Sequence, residues 1–222
     1  IGHVDHGKTA LVRALTGIET DRLKEEQERG LSIVLGFSYL ESPDGAIDLI
    51  DVPGHEDFIR TMISGATGID GVLLIVAANE GVMPQTREHF DIAQLLGVER
   101  GLIVLTKTDL LTREEVEFAE EEIREYVSGS FLDGAPVIRT SVLRGEGLDD
   151  LRAALGQLEA RVPATETSEG FFLPVDRVFA MQGFGAVVTG TLRSGVLTTN
   201  ENVEILPGGE TATVRGLQNH NQ

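Results

Sequence analysis

The stretch GHVDHGKT, residues 2–9, decides how this chain is read. It fits the pattern G-x-x-x-x-G-K-[ST], a loop that cradles phosphate on its way into a helix. Gly2 and Gly7 let the backbone turn tightly and aim several N–H groups at one anion. His3, Val4, Asp5 and His6 fill the loop between them, the two histidines shaping it rather than reacting. Lys8 brings a point charge to the outer phosphates, and the Thr9 hydroxyl suits Mg²⁺. A helix from about Thr9 through Ala10 to Leu15 turns its positive end to the same anion.

Outward from this loop, the chain alternates apolar runs with helical patterns. GVLLIVAA (71–78) and LIVLTK (102–107) are apolar throughout, as strands covered on both faces are. Pro84 to Gly97 reads as a helix, with proline at its start and glycine for its left-handed end. Thr112 to Ser128 reads as another, with Thr112 and Glu115 at capping-box spacing, and Gly147 to Ala160 as a third. The alternation predicts an α/β domain with a mostly parallel sheet over 1–162. RVPATETSEG (161–170) has linker composition, and the linker is set at 163–170. Glycine-punctuated β segments follow over 171–222, reading as the start of a β-barrel domain. Both ends read as cut. The loop normally follows a buried strand, yet the chain starts at Ile1, and the β part is short for a closed barrel.

Further elements fall at predicted strand ends, where open α/β sheets bind ligands. DVPGHE (51–56) follows the strand AIDLI: Asp51 can reach Mg²⁺ through water, and Gly54 frees its N–H for a γ-phosphate. In RGLSI (29–33), Ser32 could ligate Mg²⁺ while that phosphate is present, making residues 20–37 a switch. TKTD (106–109) follows LIVL. Asp109 can accept two hydrogen bonds from a guanine edge, the Lys107 stem can cover the ring, and Thr106 opens the loop. TSV (140–142) ends the next strand, so a backbone N–H among Ser141, Val142 and Leu143 could meet guanine O6. His55 follows Gly54 and can swing in to orient the attacking water, with Val4 and Leu31 as an apolar gate.

Composition sets limits. With 18 Lys+Arg against 36 Asp+Glu the net charge is −18, which argues against binding RNA by bulk charge. The absence of cysteine excludes disulfides, thiolate metal sites and a cysteine nucleophile. No apolar run approaches the length of a membrane span, so no membrane partner is expected.

Taken together, GHVDHGKT, RGLSI, DVPGHEDF and GVMPQTREH resemble the translational GTPases of the elongation factor Tu group. Residues 14–40, 62–98 and 105–110, with LPVDRVFAMQGFGAVVTGTLRSG (173–195) and VRGLQNHNQ (214–222), resemble its selenocysteine-specific branch. The resemblance spans essentially the whole chain. It implies a GTP/GDP site with Mg²⁺, GTP hydrolysis, and delivery of selenocysteyl-tRNA to the ribosome at a recoded UGA. It also implies a cytoplasmic monomer, an mRNA hairpin read by C-terminal domains absent here, and a selenol pocket at Asp176 and Arg177, with His220 a possible neighbour. A selenolate favours a cationic neighbour, and Asp176 can fix the arginine fork. Ser32 stands where the family usually has Thr, Val34 replaces a usual Asp, and Thr106 replaces the Asn common in GTPases. Alternatives are another tRNA-carrying GTPase, initiation factor 2 gamma-like or elongation factor Tu-like, or an inactive nucleotide-binding fragment. Weak or absent hydrolysis is expected of residues 1–222 alone.

Overall fold

The computed structural model describes residues 1–43, 45–66, 68–162, 170–183 and 185–219. The expected linker, save Gly170, and His220 lie outside them. The chain divides into two compact units, Ile1–Val162 and Pro163–Gln222.

The first unit is built on a three-stranded parallel sheet. β3 (Val72–Ala77) pairs with β4 (Gly101–Thr106), and β4 with β5 (Val137–Arg139). Its strands are apolar on both faces because both faces are covered. On one side Ile75, Leu102 and Val104 pack against Leu11 and Leu15 of α1 (Lys8–Thr16) and Leu151 and Leu155 of α6 (Leu148–Glu159). On the other, Leu74, Val76, Ile103 and Leu105 meet Phe90 of α4 (Pro84–Leu95) and Ile123 and Val127 of α5 (Arg113–Val127). Leu74, Ile103, Leu105, Ile123 and Leu151 are at most 1 % exposed. Each such side chain contributes roughly 1.5–3 kcal/mol by leaving water.

Two parts of this unit differ from the sequence expectation. The strand expected at 46–50 belongs to an antiparallel hairpin, β1 (Gly36–Ser42) with β2 (Gly45–Asp51), rather than to the parallel sheet. Two helices carry no strong sequence signal: α2 (Lys24–Arg29), inside the segment 20–37 expected to be a switch, and α3 (Ile59–Ala66), whose Met62 and Ala66 pack with Leu35 and Val52. The backbone of Ile1 lies along β3, its carbonyl accepting the Ile75 N–H at 2.9 Å.

The second unit contains two antiparallel pairs, β6 (Val175–Met181) with β7 (Gly185–Gly190) and β8 (Asn202–Ile205) with β9 (Glu210–Thr213). These are the strands of a β domain, as its segments predict. Among the described residues they form two separate two-stranded sheets. No helix of the described residues is long and apolar enough to cross a membrane.

Candidate functional site

The loop at 2–9 leaves the β3 edge and enters α1 at the C-terminal end of the sheet. Gly2 is at φ 146°, and a Cβ there would come within 2.3 Å of the Ile75 carbonyl oxygen, so only glycine lets the loop lie this close to the strand. Gly7, at φ 84°, caps α1. Three side chains brace the loop from behind. Thr106 donates its hydroxyl to the His6 carbonyl at 2.7 Å. Gln85 Oε1 accepts the Val4 N–H and His89 Nδ1 the Gly2 N–H, each at 3.3 Å. Gln85 and His89 are four apart on α4 and so share a face.

Lys8 is buried, and its ammonium donates to the His3 carbonyl at 2.7 Å. Burial lowers its pKa to about 8, although Asp51, Asp5 and Asp21 pull the other way. His6 is fully buried, and desolvation holds its ring down to about 4 against the pull of Glu80. It is uncharged at neutral pH and shapes the loop.

A cavity of about 210 Å³ opens in front of the loop, lined by Val4, Asp5, Gly7, Lys8, Thr9, Ala10, Asp21, Gly30, Leu31, Ser32 and Gly54. It brings together three separate motifs: the phosphate loop, Ser32 and Gly54. Thr9 Oγ1 and Ser32 Oγ are 3.1 Å apart. Asp51 is buried, its Oδ2 accepting from Thr20 Oγ1 at 2.9 Å. At Gly54 a Cβ would lie 2.5 Å from Lys8 Nζ and 2.9 Å from Val4 N, so only glycine lets this turn approach the loop so closely.

Three residues with no motif of their own organise this end. Thr20 fixes Asp51. Asp21 accepts from Ser32 Oγ at 2.8 Å, and burial pushes its carboxyl up despite that bond. Glu26 is fully buried; desolvation opposes its ionisation, but backbone N–H donors from Val34, Leu23 and Ile33 hold its carboxyl below the usual range. The available signal was thin: two polar residues at 20–21 and an acid on a short charged helix.

The other motif residues lie nearby but off the cavity lining. His55 Nδ1 accepts the Asp57 N–H at 3.2 Å, so in this conformation the ring caps the turn at Glu56–Phe58 and does not line the cavity. Lys107, left-handed at φ 56°, pairs with Glu80 at 2.9 Å. The Thr108 hydroxyl and N–H both donate to the Thr140 carbonyl, tying TKTD to the segment that carries Ser141, Val142 and Leu143. The Asp109 carbonyl accepts from Arg144 at 3.3 Å. Leu143 is exposed and Ser141 buried. In the second unit the β6–β7 register shifts between Val175 and Arg177, a bulge that re-aims Asp176, whose Oδ1 accepts from Thr189 Oγ1. A larger groove of about 440 Å³, between residues 78–81 and α5, has an acidic rim and no phosphate-binding loop.

Residues 1–161 match the family model of the elongation factor Tu GTP-binding domain. Two curated relatives, each a selenocysteine-specific elongation factor, are 53 % identical over 99 % of this chain in Desulfomicrobium baculatum and 42 % identical over all of it in Escherichia coli K12. The chain spans 35 % and 36 % of their lengths. A crystal structure of a bacterial selenocysteine-specific elongation factor superposes with a TM-score of 0.93 at 39 % identity, covering 99 % of this chain and 38 % of that one. The elongation factor SelB of Methanococcus maripaludis, in complex with the GTP analogue GppNHp, superposes at 0.86 and 32 % identity, covering 100 % and 46 %.

Proposed function

The chain belongs to the elongation factor Tu GTP-binding family, and from that premise we propose that it is the nucleotide-binding end of a selenocysteine-specific elongation factor. Such a factor binds GTP and Mg²⁺, carries selenocysteyl-tRNA to the ribosome in the cytoplasm, and hydrolyses the nucleotide there. The observation that carries this reading is the cavity that collects Lys8, Thr9, Ser32 and Gly54 before one loop.

The loop N–H groups and Lys8 would hold the β- and γ-phosphates, and the Gly54 N–H the γ-phosphate. Among the described residues no three His, Asp or Glu side chains converge as a cage. The adjacent Thr9 and Ser32 hydroxyls, with Asp51 behind them, fit Mg²⁺, which keeps several of its waters. When bound, Mg²⁺ neutralises charge on the phosphates. Asp109 would select guanine, with Lys107 on the ring face and the Ser141–Leu143 backbone at O6. His55 would leave its capping position, pass the Val4–Leu31 gate and orient the attacking water. Asp176 and Arg177 would receive the selenol of the aminoacyl end. The mRNA hairpin, the ribosome and a monomeric state belong to the proposal for the whole protein.

The test uses the full-length parent. GTP and GDP should bind and ATP should not. Selenocysteyl-tRNA should bind far more tightly than seryl-tRNA in the GTP state. Equal affinity for the two tRNAs would sink the selenocysteine assignment and leave the GTPase assignment standing.

A further inference from the structure

Glu26 does more in the switch segment than its position on a six-residue helix suggests. Its Oε2 accepts the Leu23 N–H at 2.9 Å, and its Oε1 accepts those of Ile33 and Val34, both at 3.0 Å. Its own carbonyl accepts from Gly30 at 2.8 Å and from Leu31 at 3.3 Å. One residue therefore gathers five backbone N–H groups, four of them in the residues flanking Ser32, Gly30 and Leu31 before it and Ile33 and Val34 after it. A buried carboxylate is costly to desolvate, and it is held here by charge-assisted bonds that a neutral acceptor would make more weakly. The turn so gathered carries the Ser32 hydroxyl to within 3.1 Å of Thr9 Oγ1.

We propose that Glu26 is a positioning residue for nucleotide state: by clamping the 30–34 turn it presents Ser32 to the outer end of the phosphate site, and so favours the triphosphate over the diphosphate. The inference rests on the GTP/GDP reading above. It differs from a purely structural role in its target. A general anchor would support both nucleotide forms alike, whereas Ser32 serves only the form that has a γ-phosphate.

The experiment titrates GppNHp and GDP, with Mg²⁺, into the full-length protein and its Glu26→Ala and Glu26→Gln variants. In Glu26→Ala, GppNHp affinity should fall about tenfold or more while GDP affinity stays within about twofold. Glu26→Gln keeps one acceptor oxygen and should lose about threefold for GppNHp alone. The melting temperature of the GDP-bound form, measured in parallel, should barely move. A GppNHp/GDP ratio that stays at the wild-type value, or equal losses for both nucleotides, overturns the proposal. If Glu26→Ala does not fold, the ratio in the isosteric Gln variant decides by the same rule. Failure of the wild-type protein to bind either nucleotide would instead overturn the nucleotide reading itself.

Discussion

His55 and His89 are two histidines whose surroundings assign them opposite behaviour. The His55 ring is partly exposed; its contacts, the Asp57 N–H and carboxylate and the Phe58 ring, are all made at the surface, so little opposes its leaving the cap. In the intact protein, His55→Ala should leave GTP affinity within about twofold and slow ribosome-stimulated hydrolysis about a hundredfold or more. Single-turnover hydrolysis reads this directly, and an unchanged rate would remove His55 from the reaction. His89 is fully buried behind the loop and cannot move without releasing Gly2. Burial, and after it the Lys8 ammonium, lower its pKa from 6.5 to about 3. The folded value lies below the unfolded one, so between these limits the unfolded chain binds more protons. Stability is then complete above pH 6.5 and lost as pH falls through the window. The slope is about 1.4 kcal/mol per pH unit. His89→Asn keeps an acceptor near Gly2 but does not titrate. Its urea-unfolding free energy should fall by about 2 kcal/mol less than wild type between pH 6.5 and 4.5. Equal acid sensitivity in the two proteins would show that His89 is not held neutral.

Among the elements, those with their own start and stop signals are the ones the sequence reveals. α4 begins at Pro84 and Gly97 is left-handed at φ 77°. α5 is opened by Thr112, whose Oγ1 accepts the Glu115 N–H while Glu115 Oε2 accepts the Thr112 N–H at 2.8 Å. Thr112→Ala should therefore cost about 1 kcal/mol, or about 3 °C in the midpoint of the first unit's thermal transition. A change below half a degree would mean that Glu115 alone suffices. α2 escapes sequence reading because KEEQER has no apolar periodicity; the bonds made by Glu26 keep it in place, and they are visible only in three dimensions. α3, IRTMISGA, contains a glycine and three β-branched residues and is held by packing under Leu35 and Val52. β1 was missed for a different reason. Its side chains do not alternate cleanly, and its partner β2 opens on a glycine, Gly45, with no apolar start signal. The same division runs through the site. Phosphate loops are legible because their glycines and lysine recur at fixed spacing. Supports such as Thr20, Asp21, Gln85 and His89 act from distant positions: the stretches that hold them are distinctive, but their bonds to Asp51, Ser32 and the loop are visible only in three dimensions.

For the molecule as a whole, charge decides what kind of RNA contact is available. Residues 1–164 hold 15 basic and 30 acidic residues, and residues 165–222 hold 3 and 6. Seven glutamates lie between Arg113 and Glu125, where Arg113 pairs with Glu117 and Arg124 with Glu120; none of them lines the phosphate cavity. The acidic excess repels an RNA backbone without disturbing the nucleotide site. Under the proposed function, contact with an aminoacyl end would come from a few placed groups, and residues 165–222 supply Arg177, Arg193 and Arg215 as cations. Counterion release limits what three cations can do. With three phosphates neutralised on a duplex stem, the logarithmic salt slope would be about −2.7. A rise from 50 to 200 mM salt would then weaken binding by at most about fortyfold. For a short acceptor-stem RNA titrated into residues 1–222 by fluorescence anisotropy, the loss should stay at or below that figure. A loss of about a thousandfold or more would require six or more phosphate contacts, and so would recruit Lys and Arg of the acidic unit against its net field.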